Sequence, residues 1–389
     1  MDVSTHQFDF DKEVDRTKSY SDKWDKYKGQ DILPMWVADS DFQSPPAVIE
    51  ALQERVSHGV FGYTHASDTL TEIFVARMKS RYNWDIQPEW VVYLPGLVCG
   101  LNIAARALTD EGQTIISPSP IYPPFISSAK FAERPLVKAT VKLTDGRWMP
   151  DLVEAEEQLS GKGGLLQMCN PLNPGGTVYT REELEATLAF AEKHDLFVCS
   201  DEIHCDLILD GDKQHIPFAS ISESAEQRSV TLMAPSKTFN IAGLGASIAI
   251  IPNAKLRQRF SKIKRGIVPG VNVLAFTAAE AAYEHGEAWL QEQLCYLAGH
   301  RDYLMQEINA LPGMKLEHIE ATYLAWIDCS ELPVDNPHRF FEEAGVGLSP
   351  GLDFGNRKFV RLNFGCTRKT LDQALQRMKS AIKTLPFKG

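Results

Sequence analysis

The chain has 389 residues and a mass of 43.5 kDa, enough to bury a large core and more comfortable as two domains than as one. Its 44 % hydrophobic and 23 % charged residues are those of a folded globular protein and exclude a disordered or fibrous one. A formal net charge of -11 opposes binding to nucleic acid, whose affinity rests on Lys and Arg neutralising phosphates, so a small-molecule substrate is expected.

The first residues, Met1 to Asp9, are acidic and lack the basic start and apolar run of a signal peptide. No stretch is long and apolar enough to cross a membrane, and a cytoplasmic location is expected. Residues 1–46 are polar and Pro-containing, and are expected to pack on the C-terminal part of the chain or on a partner subunit. The 7 cysteines are scattered and contain no C-x-x-C pair, which fits a reducing compartment and gives no metal site.

A strand predicted over residues 90–94 leads through Pro95 and Gly96 into a helix whose apolar face continues through Leu101, Ala104, Ala105 and Leu108. Such a start presents free backbone N–H groups of Gly96, Leu97 and Val98, and the positive end of the helix dipole, to a phosphate. Further strands are predicted over 114–117, 164–169, 196–200, 229–234 and 246–251. Between them lies a helix over 180–194, where Thr180 and Glu183 make a capping box ahead of Leu184, Leu188 and Ala191. This alternation over residues 47–285 predicts one large α/β domain, its mostly parallel sheet sandwiched by helices. Beyond it, a helix over about 287–311, strands near 323–328 and 359–363, and a final helix from Leu371 predict a smaller α+β domain, built from residues 286–389 with residues 1–46.

Three segments begin where strands end, and in an α/β sheet ligands bind at the carboxyl ends of strands. They run from Asn170 to Gly176, from Ser200 to His204 and from Ala234 to Asn240. Asp201 follows an apolar strand, a costly place for an unpaired carboxylate, and needs a cation. Arg361 sits in an apolar strand and needs an anion. Lys237 follows another apolar strand, where desolvation can lower the pKa of an amine.

These blocks, with the segment Leu33 to Phe42, resemble the fold type I pyridoxal-phosphate enzymes of the class I/II aminotransferase superfamily over nearly the whole chain. Within it they resemble the MalY/PatB-like cystathionine β-lyase (C–S lyase) group. The resemblance implies that Lys237 is the Schiff-base lysine and general base, and that Asp201 holds the proton on the pyridine nitrogen. It implies that Asn173 bonds the ring oxygen, that Tyr122 stacks on the ring, and that Gly96, Leu97, Val98 and Ser236 form the phosphate site. Arg361, with Asn173 and Ala38, is implied to hold the substrate. Tyr63 is implied to serve the neighbouring subunit's phosphate, which makes the chain a homodimer with a two-fold interface.

Two positions depart from the transaminase pattern. His204 stands where many relatives carry a tyrosine near the ring oxygen, and is divided between a cofactor contact and packing; Gly245 stands where many carry a phosphate-binding arginine. The implied reaction is β-elimination from cystathionine or a related cysteine S-conjugate, giving a thiol, pyruvate and ammonia. The alternatives are transamination at the same site and a cofactor-bound regulatory protein with little turnover.

Overall fold

The computed structural model describes residues 7–159 and 163–387, so Met1 to His6 of the acidic start lie outside the described residues. A two-residue strand, β1 (Leu33–Pro34), precedes the central sheet. That sheet is built from β2 (Val91–Leu94), β3 (Thr114–Ser119), β4 (Leu136–Thr144), β5 (Arg147–Pro150), β6 (Gly163–Cys169), β7 (Phe197–Asp201), β8 (Ser229–Met233) and β9 (Ser247–Ile250). Its spatial order is β2-β9-β8-β7-β6-β3-β4-β5. The run from β8 to β4 is parallel, while β9 opposes both its neighbours and β5 turns back on β4.

Every residue of β6 and β8 is buried, which explains their near-continuous apolar runs: helices cover both faces of the sheet. Along β6 the period of two sends Leu165 and Cys169 into one core with Leu101, Ala104 and Phe260. Leu166 and Met168 go to the opposite core with Leu188, Ala191 and Phe218. The helix Arg181–Lys193 starts with the expected capping box. The β4–β5 hairpin escapes the strand pattern, yet its turn is Asp145-Gly146, both at positive φ (51° and 77°), the Asp-Gly signature of a two-residue hairpin loop.

The C-terminal part adds β10 (Lys315–Leu316), β11 (Leu324–Asp328), β12 (Val346–Gly347), β13 (Ser349–Pro350) and β14 (Phe359–Asn363). Four of these form an antiparallel sheet, β10-β11-β14-β13, and β12 pairs in parallel with β1. Helix Glu287–Asn309 ends two residues before the expected Leu311. The final helix begins at Arg368 rather than Leu371, because Thr367 accepts a hydrogen bond from the Thr370 N–H and caps an earlier turn.

The N-terminal segment packs on this C-terminal part. Phe10 meets Trp289 and Tyr296, and the Tyr27 hydroxyl donates to Glu342 at 2.8 Å. Residues 36–42 then pass between the two parts of the chain. Asn240, three residues after Lys237, donates from Nδ2 to the carbonyls of Ser40 and Phe42 at 3.0 and 2.7 Å. Asn363, two residues after Arg361, donates to those of Val37 and Asp39, both at 2.6 Å. Among the described residues no helix is long and apolar enough to cross a membrane.

Candidate active site

Strands β6, β7 and β8 are neighbours, so the loops after them open on one place. There a cavity of about 420 Å³ is lined by Ala38, Gly96, Leu97, Val98, Tyr122, Asn173, Asp201, His204, Ser236, Lys237 and Arg361. Every candidate from the sequence is thus brought together except Tyr63. That tyrosine is fully exposed in the loop after helix Pro46–His58, beside exposed Val60 and Phe61.

Asp201 is 5 % exposed, and its Oδ1 accepts one bond, from the Ile203 N–H at 3.1 Å. Burial pushes its pKa up to about 7, the Glu202 carboxylate adds to the rise, and the Ile203 N–H and Lys237 oppose it. A carboxyl so placed is short of a cation. Lys237 donates from Nζ to the Ala38 carbonyl, and burial brings its pKa down to about 8 against the pull of Asp39. Its neighbour Thr238 donates to Asp206 at 3.0 Å, and Asp206 is itself bound by Arg77, Arg81 and Tyr82. The lysine therefore stands on a loop tied to a buried ion cluster.

Arg361 is 4 % exposed and has no carboxylate within ion-pair distance among the described residues. Its Nη1 donates to Asn173 Oδ1 at 2.9 Å, and its Nη2 to the Trp36 carbonyl at 2.9 Å and Ser349 Oγ at 3.3 Å. Phe354 lies under the guanidinium, 4.6 Å from Cζ to the ring centre, and Nε has no partner. Burial with only neutral partners lowers its pKa to about 10. An anion entering the cavity would find the charge uncompensated.

His204 is 2 % exposed, stands edge-on to Tyr323, and leaves Nδ1 without a partner. Burial, then Lys237 and Arg361, bring its pKa down to about 3, so the imidazole is neutral. Burial raises the Tyr122 phenol, and the Tyr122 N–H bonds the Asn173 carbonyl at 3.2 Å. Gly96, at φ 139°, precedes helix Leu97–Ala107 without a side-chain cap, so the first-turn N–H groups have no capping acceptor. Gly245 has φ +74°, and a Cβ there would lie 3.0 Å from the Pro95 carbonyl oxygen. A side chain at this position would meet the backbone of the turn at Pro95.

Trp36 and Asn240 lie in the segments 33–42 and 234–240 that the sequence singled out, without roles of their own, while Ser349, Asn363 and Tyr323 were missed. Of these Asn363 carried a signal, since two residues beyond Arg361 on a strand is the same face.

Residues 31–378 match the family model described as Aminotransferase class I and II. This chain belongs to that family. Among its aminotransferase-family relatives, cystathionine beta-lyase PatB of Bacillus subtilis (strain 168) is 38 % identical over 385 residues, covering 96 % of this chain and 99 % of the relative. The solved structure of OvoB superposes with a TM-score of 0.95 at 55 % identity, covering 97 % of this chain and 100 % of that one. Cystalysin from Treponema denticola, solved with a pyridoxal 5'-phosphate cofactor, superposes with a TM-score of 0.91 at 32 % identity, covering 97 % and 99 %. The mostly parallel sheet flanked by helices is the fold these structures share with the chain.

Proposed function

We propose that this protein is a pyridoxal-phosphate-dependent carbon–sulfur β-lyase, cleaving cystathionine or a related cysteine S-conjugate to a thiol, pyruvate and ammonia. The observation that carries the reading is the pairing of vacant charges in one cavity: a buried carboxyl short of a cation, Asp201, and a buried guanidinium short of an anion, Arg361. A pyridinium nitrogen and a substrate α-carboxylate are the ions that fit them.

The chain's residues suit the cofactor. Asp201 would hold the ring proton, and Tyr122 offers a flat face. The open turn at Gly96, Leu97 and Val98, with Ser236, would take the phosphate, and the free amide side of Asn173 would reach the ring oxygen. When bound, pyridoxal phosphate supplies a sink for the electron pair left at the substrate Cα.

Lys237 would hold the cofactor and, once its amine is freed by the substrate amine, would remove the Cα proton. With a pKa near 8 its amine is partly neutral at physiological pH, as a base must be. Arg361 and Asn173 fix the substrate carboxylate so that the Cα proton faces that amine, with Ala38 alongside. The C–S bond at Cβ would then break with its electrons leaving on sulfur, which takes up a proton, and one water would hydrolyse the three-carbon enamine left behind to pyruvate and ammonia. The lyase outcome, rather than transamination, is supported by relatives named cystathionine beta-lyase at up to 38 % identity.

The same reading makes the protein a homodimer in which Tyr63 serves the neighbour's phosphate, supported by its full exposure beside Val60 and Phe61. It divides the chain at residues 47–285 and at 1–46 with 286–389. Seven unpaired thiols support a reducing, cytoplasmic location. The test is incubation of the cofactor-loaded protein with cystathionine, assaying pyruvate and free thiol with no keto-acid present. Product without an acceptor supports the lyase, and dependence on an acceptor replaces it with an aminotransferase. Failure of the protein to bind pyridoxal phosphate refutes both.

A further inference from the structure

The Lys, Arg and Asp side chains that line the cavity are four: Lys237, Asp201, Arg361 and Asp353. The proposed reaction uses the first three. Asp353 is left over.

It stands on the single helical turn Gly351–Phe354, next to the phenyl ring that lies under Arg361. Unlike the other three it is exposed, and it forms no hydrogen bond or ion pair among the described residues. His338 feels the charge of Asp353, but burial keeps its pKa below the ordinary value, so it brings no fixed positive charge. Pro350 and Phe354 flank Asp353 on that turn, and Trp36, Leu97 and Pro123 add apolar surface to the same cavity.

With the substrate carboxylate at Arg361 and Cα beside Lys237, the substituent on Cβ extends into the rest of the same cavity, whose lining is largely apolar and bears one further carboxylate, Asp353, one residue from the ring under Arg361. We infer that Asp353 selects the leaving group: the preferred cysteine S-conjugates carry a cationic group, such as an ammonium, on the far side of a short aliphatic thiol. The carboxylate attracts that cation and repels a distal anion, while the apolar wall accepts the methylenes. This inference rests on the lyase reading.

The test uses the cofactor-loaded enzyme and three conjugates of similar length: S-(2-aminoethyl)-L-cysteine, S-propyl-L-cysteine and S-(2-carboxyethyl)-L-cysteine. The readout is the ratio of kcat/KM values for pyruvate release. The native enzyme should rank ammonium over propyl over carboxylate. Asp353→Asn should shrink the ammonium-to-propyl ratio by roughly three- to fivefold, the range of an exposed ion pair. Asp353→Glu should keep the order, Asp353→Lys should invert it, and the native preference should weaken with salt. Pyruvate release with the same ratios in the native, Asn and Lys forms overturns the role of Asp353 and leaves the lyase standing. Release from none of the three conjugates overturns the lyase reading and this inference with it.

Discussion

Replacing Asp201 by Asn is expected to stabilise the cofactor-free protein at neutral pH while removing its turnover. The folded carboxyl has a pKa of about 7 against an ordinary 3.8, raised chiefly by burial. A group whose folded pKa is raised contributes its full stability below the ordinary value and loses it as pH climbs through the folded one. Between pH 4 and pH 7 the native apoprotein should therefore lose up to about 4 kcal/mol, at about 1.4 kcal/mol per pH unit. Asparagine never ionises, can still accept the Ile203 N–H, and escapes that loss. Urea unfolding of both cofactor-free proteins at pH 4.5, 6 and 7.5 measures the effect. The variant's advantage should grow across the series and level off above pH 7. An advantage that does not change with pH would refute the argument that burial, and not some fixed structural contact, sets the state of this carboxyl. Adding pyridoxal phosphate should reverse the ranking at pH 7.5, because the native carboxylate then gains its cation.

Arg361→Lys should lower kcat/KM by roughly 10- to 100-fold, since an ammonium cannot reproduce a two-bond grip on a carboxylate; steady-state kinetics should place much of the loss in KM. Asp206→Asn should destabilise the fold by about 3–5 kcal/mol in chemical denaturation, because Arg77 and Arg81 both lose the buried charge that pairs them. Its visible absorbance when cofactor-loaded should also titrate differently, because Thr238 no longer anchors the Lys237 loop to a carboxylate. Gly245→Arg should weaken cofactor binding in fluorescence titration: the side chain meets the Pro95 carbonyl before it reaches any phosphate.

The parts of the site that the sequence disclosed are those whose chemistry conflicts with their surroundings. A carboxylate after an apolar strand, a guanidinium inside one and a lysine after another are each costly alone, and so point to ligands. The sheet was legible for the same kind of reason, since strands covered on both faces must be apolar throughout, as β6 and β8 are. The hairpin β4–β5 was hidden because its strands lie at the sheet's rim, where partial exposure along most of their length dilutes the apolar signal. Asp353 was hidden for the opposite reason to Asp201. An exposed aspartate on a one-turn helix contradicts nothing around it, and only the shape of the cavity gives it a role.

What the sequence could not carry at all is the work done by backbone carbonyls, which every residue possesses alike. Along residues 36–42 the carbonyls of Trp36 and Ala38 point to Arg361 and Lys237, those of Val37 and Asp39 to Asn363, and those of Ser40 and Phe42 to Asn240. The chain bends at residues 37 and 38, where the Asp39 N–H bonds the Val37 carbonyl at 2.9 Å, and so turns its carbonyls to several partners. Two asparagines, each a few residues beyond a charged member of the site, fix one length of backbone that binds both the lysine and the arginine. The spacing between those two charges is held by hydrogen bonds to peptide groups, so a side-chain change at Val37 should disturb it less than the loss of either asparagine amide.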